Sequence, residues 1–361
     1  MKSLELHIIQ SYPANRLNRG EDGSPKSITF GGVPRTRISS QAQKRAERTN
    51  PHHALTPAAH RTKNPDTLIL AALRDGHPDI ADHPTTPALL REALSGPYGK
   101  WDDAGRLKTQ VFLGAEEVKA ITAAVARGLP DVLNLPDADQ ASAAHALLAD
   151  LTGSAQSPDI ALYGRMLAES DGWNVEAATS YTHAISTHRA QVTSDFFSSV
   201  DDVTGDTVHI GATELTAPTL YRAAVLDLTQ LARNTTAAPT ATLARDWARR
   251  VVASTPSGGT HGTFAHTLPE YVLVIARDGG HPLTLAGAFE DPVRRDELSL
   301  ATESARRLEG HLQGLTALYG PQGMQGAWRV TLLTLPAATA VTAPGSLDDA
   351  LSQALSALNV G

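Results

Sequence analysis

The sequence predicts an α+β protein: a sheet with helices on one face, interrupted by a long helical insertion. Strand-like and helix-like segments alternate at both ends of its 361 residues. Between them, from about Asp66 to Glu169, Ala/Leu-rich stretches carry helical periodicity. A Thr/Ser/Val-rich stretch with Gly205 and Gly211 follows and reads as an extended hairpin. No segment repeats at a fixed period.

The elements follow in order. Leu4, Leu6 and Ile8 alternate with Glu5, His7 and Ile9, the pattern of a half-buried strand. Asn15 to Arg48 runs from a Gly/Asn/Arg loop through a basic turn into a helix. Ser40, with Gln43 three residues on, predicts a capping box for that helix, which continues to about Arg48. Residues 49–66 are rich in Pro, His, Thr and Asn and read as a loop. The helical insertion is predicted to break at Pro78, Pro84, Pro87, Pro130 and Pro136. The hairpin is expected over 194–222, bracketed by Phe196-Phe197 and Tyr221. A strand over 223–228, a helix over 242–253 with Leu243, Trp247 and Val251 on one stripe, and an apolar strand over 271–276 come next. A helix over 296–318, a strand over 328–335 and a capped amphipathic helix over 346–358 close the chain.

Composition excludes several classes. The 41% hydrophobic and 19% charged content is that of a soluble globular protein. No apolar run is long enough to span a bilayer, so no membrane partner is expected. Met-Lys-Ser-Leu-Glu-Leu-His is not a secretory signal, because Glu5 and His7 interrupt its apolar residues. Cysteine is absent, which removes disulfides, thiolate metal sites and thiol nucleophiles and fits a cytoplasmic protein. No nucleophile elbow, zincin helix or dinucleotide fingerprint occurs. Gly96-Pro-Tyr-Gly-Lys-Trp101 lacks the spacing of a phosphate loop, with Trp where Ser or Thr would hold the metal.

Charge is more informative. Residues 1–50 hold 9 Lys/Arg against 4 Asp/Glu, while the whole chain carries −7. Positive charge placed in one segment of an acidic protein is the electrostatic footprint of a polyanion site. Lys44 and Arg48 lie four apart on one helix face, where like charges cost roughly 0.2–0.5 kcal/mol unless an anion sits over them. Arg45 stands beside them, and Glu47 is the single acid. A solvated helix face would explain these three cations equally well. Arg16, Arg19, Lys26, Arg35 and Arg37 upstream decide for a phosphate-binding strip. Adjacent Phe196 and Phe197 point to opposite faces of a strand, so one is free to stack on bases, but from these residues alone both capping the core is the better reading. His183 and His188 are five apart, which suits neither a helix face nor strand alternation for a metal, and ordinary structural histidines are the better reading.

These motifs together resemble a known family, the CasC backbone subunits of the type I-E CRISPR Cascade complex. The resemblance is carried by Leu17-Asn18-Arg19, Lys26, Phe30-Gly31-Gly32, Arg37-Ile38-Ser39-Ser40-Gln41 and Lys44-Arg45. It continues through Asp159-Ile-Ala-Leu-Tyr-Gly-Arg-Met166, Ala184-Ile-Ser-Thr-His188 and Asp195-Phe-Phe-Ser-Ser-Val-Asp-Asp202. It implies an RNA-recognition-type (ferredoxin-like) palm over 1–50 and 223–361, helical fingers over 51–180 and a β-hairpin thumb over 194–222. It implies copies of the chain polymerising along a CRISPR RNA, beside other Cascade subunits, and presenting bases to target DNA. Asn18, Arg19, Lys26, Arg37, Ser40, Gln41, Lys44, Arg45 and Arg48 would contact the RNA. Met166 would pack on bases, and Phe196, Phe197 and Ser198 would lie where the strand kinks. The resemblance implies no catalysis, metal or cofactor. The loop over 256–262, basic in the family, has only His261 here and is expected to make no phosphate contact. Two competing readings are a metal-dependent ribonuclease cutting guide-paired RNA through Asp22, and a metallohydrolase using His183, His188 and Asp195.

Overall fold

The computed structural model describes residues 1–50, 58–151, 157–167, 171–235, 240–337 and 341–360. The chain divides into two compact units, one comprising Met1–Ala54, Thr179–Thr229 and Pro239–Gly361, the other Leu55–Ala178 and Gln230–Ala238. In chain order the elements begin with β1 (Lys2–Ser11), β2 (Ser27–Phe30), β3 (Val33–Ile38), α1 (Ser40–Arg48) and β4 (His60–Thr62). Next come α2 (Pro65–Gly76), α3 (Pro78–Ala81), α4 (Thr86–Tyr98), β5 (Val111–Leu113), α5 (Ala115–Leu133), α6 (Asp137–Ala146) and α7 (Pro158–Tyr163). After these lie β6 (Thr179–Tyr181), β7 (Ala184–Ser186), β8 (Thr193–Val200), β9 (Thr207–Leu215), β10 (Thr219–Asp227) and α8 (Leu228–Asn234). The chain ends with α9 (Thr240–Ala253), α10 (Thr260–Thr263), β11 (Tyr271–Asp278), α11 (Leu300–Tyr319), β12 (Met324–Thr331) and α12 (Leu347–Ala357).

An antiparallel sheet in the order β12-β11-β1-β10-β7-β3-β2, with β6 also on β10, organises the first unit. β1 lies inside it, Leu6 opposite Ala224 on one side and Val274 on the other. One sheet face, with Ile9, Tyr221, Leu273 and Ile275, packs on Ala305, Leu308 and Leu312 of α11. The opposite face, with Leu4, Leu6 and Ile8, meets α9: Arg222, opposite Ile8, donates to the Val251 carbonyl at 2.6 Å. Arg249 and Asp348 tie α12 to α9 on that side at 3.0 Å. Helices therefore cover both faces, which corrects the one-faced layout read from the sequence.

The first strand is accordingly buried from Ser3 to Gln10, not half-buried. Its polar residues are matched internally. Arg277 Nε donates to Glu5 Oε1 at 2.5 Å, and His7 Nδ1 meets the Tyr221 hydroxyl at 3.0 Å. Burial alone would raise the Glu5 carboxyl, but His7 and Arg277 outweigh it and hold it below its usual value. Each fully buried Leu or Ile beside them contributes roughly 1.5–3 kcal/mol.

β2 and β3, which the sequence reading left as loop and basic turn, are joined by Gly31-Gly32, both at positive φ (57° and 73°), the requirement of a type I′ turn. The hairpin of β8 and β9 ends at Leu215; residues 219–222, expected in it, belong to β10 of the central sheet. The last strand spans Met324–Thr331 and not 328–335.

The second unit is mainly helical. Ile69, Leu73, Leu90, Leu94, Ile121, Val125 and Leu129 form its core. Pro130 lies inside α5 and does not end it. It falls in the last turn, where only the bond to the Ala126 carbonyl is lost. The short β4–β5 pair sits where the sequence predicts loop and helix. Arg165 and Glu117 form a buried ion pair there at 2.6 Å. Among the described residues no helix is long and apolar enough to cross a membrane.

Candidate nucleic-acid interface

The basic segment is drawn together by backbone hydrogen bonds. Lys26 N–H donates to the Asn18 carbonyl at 2.9 Å, and Arg37 N–H to the Lys26 carbonyl at 2.8 Å. Asn18 Oδ1 accepts from Ser39 N–H at 2.9 Å, fixing the start of α1 against the loop. The cap is Ser39, extended at φ −70°, ψ 151°, whose Oγ accepts from Ala42 N–H. The predicted Ser40–Gln43 box does not form. Ser40 Oγ turns to Gln41 Oε1, and the Gln43 amide donates to the Thr182 carbonyl. The helix simply begins one residue earlier than its sequence suggests.

α1 then separates its charges. Glu47, the one acid, is buried and accepts from the Tyr181 hydroxyl at 2.6 Å. Trp247 Nε1 donates to the same hydroxyl at 2.8 Å, so Tyr181 is pinned between α1 and α9. Lys44 Nζ lies 5.2 Å from the Tyr181 ring centroid. Burial pushes the Lys44 ammonium down from its usual value, with Glu47 pulling the other way. Arg45 is exposed and Arg48 half-buried at the end of the helix. Arg19 and Gln41 are exposed, while Asn18, Lys26, Arg37 and Ser40 are half-buried.

Arg35 leaves this group. It is 0% exposed, and its guanidinium donates to the carbonyls of Phe30, Ser186, Thr187, Phe289 and Glu290 at 2.8 to 3.1 Å. Counting it toward the phosphate strip is corrected: it ties three other chain segments to β3. Arg37, two residues on, instead meets His183 Nδ1 through Nη1 at 2.7 Å. Burial, then Arg37 and Lys26, hold the exposed His183 imidazole below its usual pKa, so it is the neutral acceptor of that bond. Spacing alone gave His183 no role; its position in the β6–β7 turn beside β3 supplies one.

His188 is structural. Its Nε2 accepts from Thr219 N–H and its Nδ1 donates to the Arg189 carbonyl. Asp22 accepts from the Ser24 hydroxyl and amide, which hold its carboxyl below the usual range and close the turn. Among the described residues no group of three or more His, Asp or Glu side chains is placed to hold a metal.

Phe196 is 69% and Phe197 44% exposed, on opposite faces of β8, so neither caps the core. Phe197 lies across Gly211, and Ser198 faces Ile210. The hairpin carries five acidic residues and no Lys or Arg. Met166, in the helical unit, is 87% exposed. Beside α1 lies a groove of about 490 Å3, lined by Asn18, Arg45, Thr49, Asn50, His266 and the 254–258 turn among others. No motif in the sequence marks it.

Fold and site thus define an α+β chain displaying cations along one helix and the loop before it. The chain belongs to the CT1975-like protein family, whose profile matches residues 4–353. It is similar to a solved chain described as "CRISPR RNA-guided surveillance complex, pre-nicking", with TM-score 0.82 and 26% identity over 98% of this chain and 99% of that one. A chain of a second "CRISPR RNA-guided surveillance complex" shares the fold at TM-score 0.63 and 23% identity, over 99% of each chain. These findings bear out the resemblance to Cascade backbone subunits. A comparison with curated protein sequences found no match.

Proposed function

We propose that this chain is a non-catalytic, guide-RNA-binding backbone subunit of a type I-E CRISPR surveillance complex. Copies of it line up along the CRISPR RNA, next to other subunits, and present spacer bases to target DNA. In this reading the central sheet is an RNA-recognition-type palm, the helical unit the fingers and the β8–β9 hairpin the thumb. One observation carries it: α1 turns its only acid inward onto Tyr181, while hydrogen bonds through Asn18 tie the start of the helix to the loop that bears Arg19 and Lys26. The acidic hairpin has no cation for phosphate, so its contribution is Phe196 and Phe197 against bases, with Ser198 between them and the tip. Asn18, Ser40, Gln41 and Arg45 complete the strip, and Met166 supplies an apolar contact from the fingers.

Binding of single-stranded RNA across a salt series tests this. Four neutralised phosphates, at Arg19, Lys26, Lys44 and Arg48, give a slope of about −2.8 per subunit in log K against log salt. Lys44→Gln with Arg48→Gln is expected to halve it to about −1.4. An unchanged affinity and slope in that double variant would overturn the assignment.

A further inference from the structure

Phe264 stands out from the rest of the chain. It is 83% exposed and has φ +44°. Among the described residues the other non-glycine positions with positive φ are Gln322 and Asn359, short of any ring. A bulky residue in the left-handed region is a strained choice that glycine would relieve. The ring gains nothing from the fold in exchange, since it packs on no core. Its neighbour Ala265 is fully buried among Leu17, Ile38 and Leu220, which anchors the backbone and leaves Phe264 outside. The Phe264 amide donates to the Thr260 carbonyl at 2.8 Å, fixing the turn.

That turn is pressed onto the basic loop. A Cβ on Gly258 would stand 2.3 Å from the Leu17 carbonyl oxygen, and one on Gly259 2.9 Å from Arg16 Cγ. The same segment walls the 490 Å3 groove, with Asn18, Arg45, Asn50 and His266 supplying polar groups and no Asp or Glu in the lining. In a chain of net charge −7, an acid-free groove with one arginine is suited to a neutral or anionic ligand. Phe264, two residues before the lining residue His266, adds an exposed flat apolar face.

We propose that Phe264 is a base-stacking residue and that the groove beside α1 takes one nucleotide of single-stranded RNA, base on the ring and phosphate toward Arg45. The assignment rests on the RNA-binding reading above and adds a contact in the segment where the lack of cations predicts none. Arg45 is thereby shared between strip and groove. Stacking tolerates any base, so the subsite reads no sequence.

The test uses oligouridine carrying iodouridine, irradiated with the full chain, and crosslinked peptides located by mass spectrometry. Crosslinks at Phe264 are expected, and Phe264→Ala should weaken binding about 5- to 150-fold. Its salt slope should match that of the native protein, because no charge is lost. Phe264→Trp should restore affinity. Phe264→Gly should weaken RNA binding while leaving Tm unchanged or higher, which excludes misfolding as the cause. Native affinity in Phe264→Ala, or crosslinks only elsewhere, overturns the subsite while leaving the phosphate strip intact. A change in self-association on sedimentation without RNA overturns it in favour of a protein contact. If the native chain binds no RNA, both readings fall together.

Discussion

Arg35 and Arg37 are two residues apart on one strand, and the structure predicts opposite consequences for replacing them. The Arg35 guanidinium has five carbonyl acceptors and no exposure to water. Arg35→Met keeps the volume but removes the guanidinium donor from the buried carbonyls of Ser186, Thr187 and Phe289, of which Thr187 keeps the Val293 amide. Hydrogen bonds to a charged group are worth about 1.5–3 kcal/mol each and do not add fully when shared on one side chain. Breaking a comparable buried charge network costs about 3–5 kcal/mol. At roughly 2–4 °C per kcal/mol for a unit of this size, the thermal midpoint should fall by about 6–20 °C. Arg37→Gln removes only a half-exposed contact to His183 and should move the midpoint by under about 2 °C, as surface changes do. In RNA binding the order reverses: Arg37→Gln should weaken binding, and Arg35→Met, measured well below its midpoint, should leave affinity and salt slope unchanged. Circular dichroism melts and salt-series binding on both variants decide the matter. Equal melting of the two, or a slope change in Arg35→Met, would refute the division between clamp and strip.

Three further outcomes follow from particular contacts. Gly31→Ala places a Cβ 1.7 Å from the Glu290 carbonyl oxygen at φ +57°, so it should cost about 2–5 kcal/mol; Gly32→Ala, with nothing nearby, should cost about 1–2 kcal/mol, and urea titrations compare them. His183 sits below its usual value of 6.5, so without RNA the unfolded chain takes up that proton first and stability declines slightly as pH falls below about 6.5. RNA phosphates reverse the preference, so affinity should rise between pH 7.5 and 6 more steeply in the native chain than in His183→Gln, read by fluorescence anisotropy. Guide-paired RNA should survive incubation with the protein and Mg2+ or Mn2+. Periodic cuts lost in Asp22→Ala would replace the proposed function with the ribonuclease.

The parts of the fold legible in the sequence are those set by local chemistry. The alternation of Leu4, Leu6 and Ile8 marks β1, although not its burial on both faces. The stripe of Leu243, Trp247 and Val251 marks the buried side of α9, and Ser346 caps α12 through its own hydroxyl. What escaped depends on distant partners. Nothing near Arg35 distinguishes it from Arg37, because its acceptors come from residues 186–187 and 289–290. Glu5 and His7 look solvent-facing until Arg277 and Tyr221 arrive. Leu332, Leu333 and Leu335 drew the last strand too far, whereas the ladder runs from Met324 through a bulge opposite Ala276 and Arg277. The candidate strip was legible as a run of cations. The inward turn of Glu47, the bond from Arg37 to His183 and the groove were not, since each requires the sheet to be assembled.

The antiparallel partners of the first strand set a schedule for biosynthesis. Lys2 pairs with Asp278 and Ser3 with Asp227, so the amino end leaves the ribosome long before the segments that flank it exist. At 5–20 residues per second the gap between completing α1 and completing β11 is on the order of ten to fifty seconds. Arg35 waits longer still, for the carbonyl of Glu290. During that interval the flanking strands that hold the cationic stretch in its folded place are missing. A nascent chain therefore has no complete grip for a guide until the segment through Glu290 has been made.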